Sequence, residues 1–512
     1  MSPLAPNNLR PCRTWTTAFA RLARRILPLL WGCALGGCHS VPLGEMLSPE
    51  FESGEAGVVR ASFGQPAVEI LPEGPPAREE PLADVQLIDL PTALRRAGAA
   101  NPMIALAEEA VRVRLAEQTQ ARALLFPTLD AGANLRVHRG NLLTGRGVIT
   151  DVKLQSLYWG FGADAKGGGT VAVPGIRLVS HLADAVYAPR AAQHKVVQSR
   201  GDASATNSYV LLEVGIRYLV LVEAQARRGA FEESLREFEE IERLTAKFAK
   251  AGQGRDSDAQ RAKTETLLLR AAAERSQEDI NVAAAELARL LDLAPVASLR
   301  GADAVPPLLE MIDRGLTLEV LLERAIASHP EIVARSAEVA FQEVRVRQER
   351  VRPWLPLVAV GFSAGEFGGS GESTTSRLGN FIPRTDLDVA LVWSLPNAGV
   401  GARAVQHVTD AELRAAQFAL TRAIDRVRRE VVEAHSVSDA RRQDLALARE
   451  RLKTSRSAYD QELARAKNLQ GRPLEVLVSA NQLASARQDA VLAMATYSQA
   501  QLQLHVALGS AP

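Results

Sequence analysis

The side chains able to do covalent or acid–base chemistry are few and poorly placed for it. Three thiols, Cys12, Cys33 and Cys38, all fall within the first 38 of 512 residues. The eight His are scattered, and none has the His-Glu-x-x-His spacing that sets two imidazoles on one helix face for a zinc ion. No Gly-x-Ser-x-Gly supplies a nucleophile elbow. Glu108-Glu109 and Glu239-Glu240 are neighbouring acids on helical stretches, better explained as solvated faces than as a proton-transfer pair. Ala165-Lys166-Gly167-Gly168-Gly169-Thr170 lacks the Gly-Lys-Thr order and the following helix of a phosphate loop. Two acids stand out by position: Asp258 follows Gly254 by four residues and Glu475 follows Gly471 by four, each at the opening of a long helix beside Arg255 or Arg472. Catalysis, cofactor and metal chemistry find no support, so the function must come from shape.

The N-terminus carries an export pattern. A basic stretch ends at Arg24-Arg25, and the apolar run from Ile26 to Gly37 is too short to span a bilayer as a helix, so residues 1–37 read as a secretion signal. Its end, Leu35-Gly36-Gly37-Cys38, resembles the lipobox of bacterial lipoproteins, which implies cleavage before Cys38 and a diacylglycerol on its thiol; an ordinary signal peptide holding a Cys is the alternative. Residue 39 is His rather than the Asp that retains enteric lipoproteins at the inner membrane, so the same resemblance implies the outer membrane. The mature chain keeps one Cys and forms no internal disulfide, which leaves packing alone to hold it together. Residues 38–86 are rich in Pro, Gly and Glu without helical or strand period and read as a tether behind the anchor.

The elements behind Asp258 and Glu475 occur twice. Leu90, Leu94, Arg96, Ala97 and Pro102 recur 228 residues later as Leu318, Leu322, Arg324, Ala325 and Pro330. The segment from Gly254 to Asp292 recurs at an offset of 217 as Gly471 to Gly509. This is a tandem duplication, with repeats at 87–295 and 316–510 joined by a linker at 296–315. No Pro/Ser/Gly linker separates the copies cleanly, so they form one intertwined body. Aromatic residues make up only 5%, and Ala, Leu, Arg, Glu and Gln dominate, as in long helices and coiled coils. The whole chain is net +1, but its first 37 residues hold five Arg and no acid, so the remainder is net −4 and attracts neither nucleic acid nor anionic lipid wholesale.

Between its matched flanks each copy holds alternating stretches and then a long helix. Thr128–His138, Ile176–Val186, Leu357–Phe367 and Leu387–Trp393 have one apolar face opposite small or polar residues, which suits transmembrane strands, with a soluble hairpin as the bland alternative. Gly-rich loops at 140–170 and 368–384 join each pair, and Tyr158-Trp159-Gly160-Phe161 reads either as an interfacial girdle or as part of a longer strand. Four strands do not close a barrel, so strands that cross a membrane require an oligomer. Pro189 and Pro396 close the strand regions and introduce helices at roughly 190–250 and 398–467, on the order of 90–100 Å long. In the second, Leu413, Ala416, Leu420, Ile424, Val427, Val431 and Ala434 follow the coiled-coil period. The first carries two adjacent seams, Leu211, Val214, Tyr218, Leu221 and Leu212, Leu219, Val222, as a stave with neighbours on both sides does.

The duplication, the Asn-Pro or His-Pro near each repeat start, the Pro before the strands and the Gly followed by an acid at the final helix resemble TolC-type outer-membrane efflux proteins, and the lipobox points to their lipid-anchored branch. The likeness covers roughly 87–510. It implies a mixed α and β membrane protein: a long α-helical barrel plus a transmembrane β-barrel, four strands per protomer and twelve in a homotrimer. It also implies a passive conduit served by a periplasmic adaptor and an inner-membrane transporter, with a gate at the tip where the long helices turn. There the family's acid falls on Glu475, its counterpart in the first copy is Asp258, and Arg472 lies beside them. TolC's second acid falls on Val478, a departure from the family's two-ring acidic constriction. A periplasmic adaptor has one helical hairpin in a lipoyl-like domain rather than two equivalent copies, and a coiled-coil scaffold leaves the four alternating segments unexplained.

Overall fold

The computed structural model describes residues 86–512 apart from 130, 144, 146, 162–175, 253, 295–298, 314, 372–378 and 469–471. The export signal, the tether, Cys12, Cys33 and Cys38 therefore lie outside the described residues.

The duplication is visible helix by helix. In the first repeat α1 (Leu90–Ala100), α2 (Pro102–Ala123), α3 (Leu182–Lys250) and α4 (Asp256–Leu290) have 11, 22, 69 and 35 residues. In the second, α5 (Leu318–Ser328), α6 (Pro330–Val351), α7 (Val400–Lys467) and α8 (Pro473–Ala507) have 11, 22, 68 and 35. Local chemistry sets these lengths. A residue preceding Pro is pushed out of helical geometry, so Asn101 and His329 take extended backbones that break each run into 11 and 22. Both then cap the helix that follows: Asn101 Oδ1 accepts from Met103 N at 2.9 Å, and His329 Nδ1 accepts from Glu331 N at 3.3 Å.

The half-length helices meet end to end. Asn101 Nδ2 also donates to the Leu290 carbonyl at 2.9 Å, which joins the end of α4 to the start of α2. The positions closing α4 and α8 are left-handed, Asp292 at φ 52° and Gly509 at φ 83°. A Cβ on Gly509 would stand 2.8 Å from the Cα of His329, so α8 abuts α6 as α4 abuts α2. Each stacked pair then runs beside a long helix of on the order of 100 Å.

Core packing follows the seams read in the sequence. Leu211, Val214, Tyr218 and Leu221 of α3 are buried with Ala93 and Ala97 of α1, Leu287 of α4 and Leu299. On another side of α3, Leu502 of α8 lies over Gly215, where a Cβ would come within 2.9 Å. Leu299 belongs to β6 (Leu299–Gly301), which pairs in parallel with β1 (Gln86–Ile88). Tyr218 donates to Asp303 Oδ2 at 2.6 Å and Ser498 to the Pro307 carbonyl at 2.6 Å, which holds the inter-repeat linker against α3 and α8. The α3 window with mean hydropathy 1.2 over 18 residues, apolar enough by composition to cross a membrane, is half buried inside the protein. The coiled-coil seam of α7 buries Ala416, Val427 and Val431, the last two beneath Leu321 and Ala325 of α5.

The sheet differs from the expected pairs in extent: residues 140–143, 149–161, 368–371 and 379–384, expected in loops, are strand. It comprises β2 (Thr128–Leu129), β3 (Ala131–Leu143), β4 (Ile149–Phe161), β5 (Ile176–His181), β7 (Leu357–Gly371) and β8 (Gly379–Val392). Residues 149–161, expected within a loop, are strand and pair along their length with β3; the aromatic cluster 158–161 belongs to it. Asp151, Lys153 and Gln155 alternate with Val152 and Leu154, so the strand period was present in the sequence inside the stretch read as a Gly-rich loop. Phe161 pairs with Ala364 and Ile176 with Phe362, so β4 and β5 continue one another opposite β7, with residues 162–175 between them. The six segments thus occupy four strand positions, in the order β2/β3, β4/β5, β7, β8.

The expected strand Ile176–Val186 ends early. Leu178, Leu182 and Val186 are spaced by four, a helical interval, and α3 begins at Leu182 with His181 Nδ1 accepting from Ala183 N at 3.2 Å. Pro189 therefore sits inside α3 rather than before it, whereas Pro396 does precede α7, in a short 3₁₀ turn.

Candidate functional site

Two features can carry a shape-based function: the outward face of the sheet and the tip of the helical hairpins.

Directly opposed residues in an antiparallel ladder share a face. Val358, Val360 and Phe362 oppose Leu391, Val389 and Leu387, and all six are apolar. Leu387 is 70% and Val389 67% exposed, an apolar surface that no element among the described residues covers. The other face carries Gly361, Ser363 and Gly365 against Asp388, Asp386 and Arg384. There Ser363 donates to Asp386 at 3.3 Å and Arg384 pairs with Asp386 at 2.8 Å. An apolar exposed face backed by a polar one is the inverse of a soluble sheet and fits lipid outside, water inside.

Tryptophans sit at two levels of this band, and exposed Leu135 and Val137 continue the apolar face past the upper one. Trp354 and Trp393 are exposed at the lower end, with Trp393 Nε1 donating to the Trp354 carbonyl at 3.3 Å. Trp159, also exposed, pairs with Glu366 at the upper end. Ten residue steps on β7, from the position beside Trp393 to Glu366, span about 33 Å along the strand. At a barrel tilt of about 40° that is about 25 Å of height, the thickness of an outer-membrane apolar band.

At the other end the turns after α3 and α7 lie together. Asp258 and Glu475 occupy the same place in their helices: Asp258 N donates to the Arg255 carbonyl at 3.1 Å and Glu475 N to the Arg472 carbonyl at 3.0 Å. Asp258 is half-buried, while Glu475 and Arg472 are exposed. Among the described residues of one chain, neither acid nor Arg472, Arg255 or Arg261 has an ion-pair partner. Val478 is 53% exposed where a second acid would stand. Phe238, Ile241, Ala262, Tyr459, Val476 and Leu483 form one apolar cluster that fastens the two hairpins together.

Sequence reasoning missed the ion pairs that reinforce this cluster. Arg487, with only 7% of its side chain exposed, reaches from α8 to α3, where Glu237 takes it bidentately at 2.6 and 2.7 Å and Glu233 at 2.7 Å. Burial disfavours the Arg487 cation, but Glu237 and Glu233 outweigh it and raise its pKa further. Burial, then Glu237 and Glu240, pushes the Tyr459 phenol up. Lys467 pairs with Glu240 at 2.7 Å and Arg456 with Glu233 at 3.3 Å. Glu239 and Glu240, read as a solvated face, are partly exposed and make surface ion pairs with Arg270 of α4 and Lys467 of α7. The signal was present: Arg487 is the only Lys or Arg in α8, four residues from Leu483 on its buried stripe.

A second ionic node sits where the helices meet the sheet. Arg352 binds both carboxylate oxygens of Asp184 and also Glu349, at 2.9 Å, and Gln348 donates to Asp184 at 2.6 Å. Burial opposes ionisation of Asp184, but the Arg352 and Gln348 contacts prevail and hold its pKa below the ordinary value.

An exposed apolar sheet joined to helices of this length recurs in solved structures of outer-membrane channels. The outer-membrane protein VceC of Vibrio cholerae is 16% identical with TM-score 0.62, the match covering 82% of this chain and 96% of that one. The CmeC outer-membrane channel of Campylobacter jejuni is 13% identical with TM-score 0.66, covering 87% and 94%. The MtrE outer-membrane channel of Neisseria gonorrhoeae, in its open state, is 18% identical with TM-score 0.61, covering 82% and 89%. No protein-family model matches the sequence, and no curated protein is significantly similar to it. At these identities the likeness shows a shared fold, the TolC-type fold that the repeats implied.

Proposed function

We propose that this protein is the outer-membrane channel of a tripartite efflux or type I secretion system, a passive conduit from an inner-membrane transporter through a periplasmic adaptor to the exterior. One observation carries the reading: an apolar, lipid-ready face on a sheet of four strand positions whose outer strands, β3 and β8, have no partner on their outer edges among the described residues. In lipid such edges must be paired, and four strands cannot pair them within one chain. A homotrimer pairs each β8 with a neighbour's β3 and closes twelve strands, and its helices continue the bore through the periplasm. No nucleic acid or cofactor enters this account.

Single-particle imaging of the mature protein in detergent tests it. A threefold tube with a short barrel and a helical extension on the order of 100 Å is expected; a filament or a compact monomer removes the channel reading.

The lipid anchor and gate belong to the same proposal. Cys38→Ser is expected to weaken membrane attachment while the protein still needs detergent for extraction, because the barrel holds independently. A fully soluble variant would overturn the integral barrel. Three copies of Glu475, flanked by Asp258 and Arg472, form a carboxylate ring at the tip that favours cations. Glu475→Ala is expected to lower cation over anion permeability by roughly fivefold, the weight of about 1 kcal/mol between charges about 4 Å apart in water. Unchanged selectivity in planar bilayers would mean that Glu475 does not line the constriction.

A further inference from the structure

The junction of α8 with α6 lines a half-open cavity of about 500 Å³, inside the roughly 300–1,000 Å³ range of small-molecule sites. Its walls come from four helices of one chain. Leu212 of α3, Val437 of α7, and Val506 and Ala507 of α8 make them apolar, and Tyr209 of α3 adds a phenol at the mouth. Three carboxylates, Glu331, Glu430 and Glu433, occupy the α6 and α7 side, with His329 between the helix ends.

The carboxylates are not equivalent. Glu331 is neutralised by Arg426 at 2.8 Å and Glu433 by Arg429 at 2.9 Å. Glu430 is half-buried, its nearest cation is Arg429 at 3.9 Å, and it accepts no hydrogen bond from a described residue. Burial, and next the Glu331 carboxylate, push its pKa up against the weaker pull of Arg429 and Arg426. An apolar chamber with one poorly compensated acid in its wall is complementary to a greasy cation.

The cavity also has a direction. Val427 and Val431 of α7 and Leu508 of α8 turn toward α5, which packs on them. At 100° per residue, Glu433 of α7 and Val506 of α8 point away from that layer, and Glu430 and Val437 lie to one side of it. In a tube of these helices, α5 and the inter-repeat linker must lie outside for the bore to be clear, so the cavity opens into the bore about halfway along the long helices.

We propose that this cavity is a transit binding site for amphiphilic organic cations, three per tube, with the apolar walls taking the hydrophobic body and Glu430 the charge. The orientation toward a bore rests on the channel reading; the cavity itself is complete within one chain.

The test is calorimetric titration of the full-length protein in lipid nanodiscs, against empty nanodiscs, with tetraphenylphosphonium and its near-isosteric anion tetraphenylborate. Saturable binding of the cation at one per chain is expected, with the anion binding no more than to empty discs. Glu430→Gln is expected to weaken the cation about tenfold, as removal of one partner of a partly buried ion pair does. Val506→Trp, which fills the chamber, is expected to abolish binding, and imaging of both variants checks that the particles are intact. Equal binding of the two ions, or unchanged affinity in Glu430→Gln, overturns the proposal. Cation binding by particles that image as something other than a threefold tube would preserve the site and overturn the channel.

Discussion

Leu387→Arg is expected to remove the protein from the membrane fraction as detergent-resistant, heat-modifiable trimers. Leu387 pairs with Phe362, close to the middle of the band between the two tryptophan levels. A cation at the midplane of a lipid-facing strand costs about 2–4 kcal/mol, and a trimer would carry three of them. The neighbouring Asp388 sits on the opposite face of the same strand, opposite Gly361. Asp388→Arg should therefore leave trimers intact and change only the charge of the lumen. Gel mobility of boiled and unboiled membrane extracts reads both variants. If Leu387→Arg assembles and Asp388→Arg does not, the faces are reversed and the barrel assignment fails. If both assemble, the sheet is not in lipid.

The second large effect is expected at the hairpin tips. Arg487→Ala leaves Glu237 and Glu233 without their shared partner beneath an apolar cluster, and removing one member of a buried ion pair costs about 3–5 kcal/mol. The loss is local, so it appears as faster amide exchange in α3 near 233–245 and α8 near 476–487, by roughly a hundredfold or more. Exchange near Leu221 and Leu287, in the separate core around α1, should not change. Arg487→Met combined with Glu237→Gln removes both charges and should recover much of the protection. Exchange unaltered in Arg487→Ala would show that the apolar contacts of Phe238, Tyr459 and Leu483 alone hold the tips together. Under the proposed gate the same variant also bears on opening, because hairpins carrying Glu475 and Asp258 would separate only if this cluster yields.

Features set by neighbours along the chain were legible from sequence. Pro102 and Pro330 stop the helices before them, and Asn101 and His329 cap the helices that begin there. Asp258 and Glu475 take equivalent places because each follows a Gly at the turn of a long helix. The α7 seam and the two α3 seams are helical periods, readable without knowing what they touch. From these came the duplication, the two long helices, the two short pairs and the candidate tip.

What depends on pairing across the fold was decided only by the tertiary structure. Phe161 and Ile176 continue one strand because Ala364 and Phe362 stand side by side on β7, a relation that no local period records. Residues 149–161 pair along their length with β3; their alternation of Val152 and Leu154 with Asp151, Lys153 and Gln155 is local, but which strand they join is not. Leu182 and Val186 read as strand until the cap at His181 gave them to a helix. Arg487 meets Glu233 and Glu237 from some 250 positions away, so its burial is a property of two hairpins packed together. The cavity beside Glu430 exists only where two half-length helices end against each other between two long ones. A helix is written in residues three and four apart, which sequence displays; a sheet register, a buried ion pair and a cavity are written in distances through space, which sequence does not.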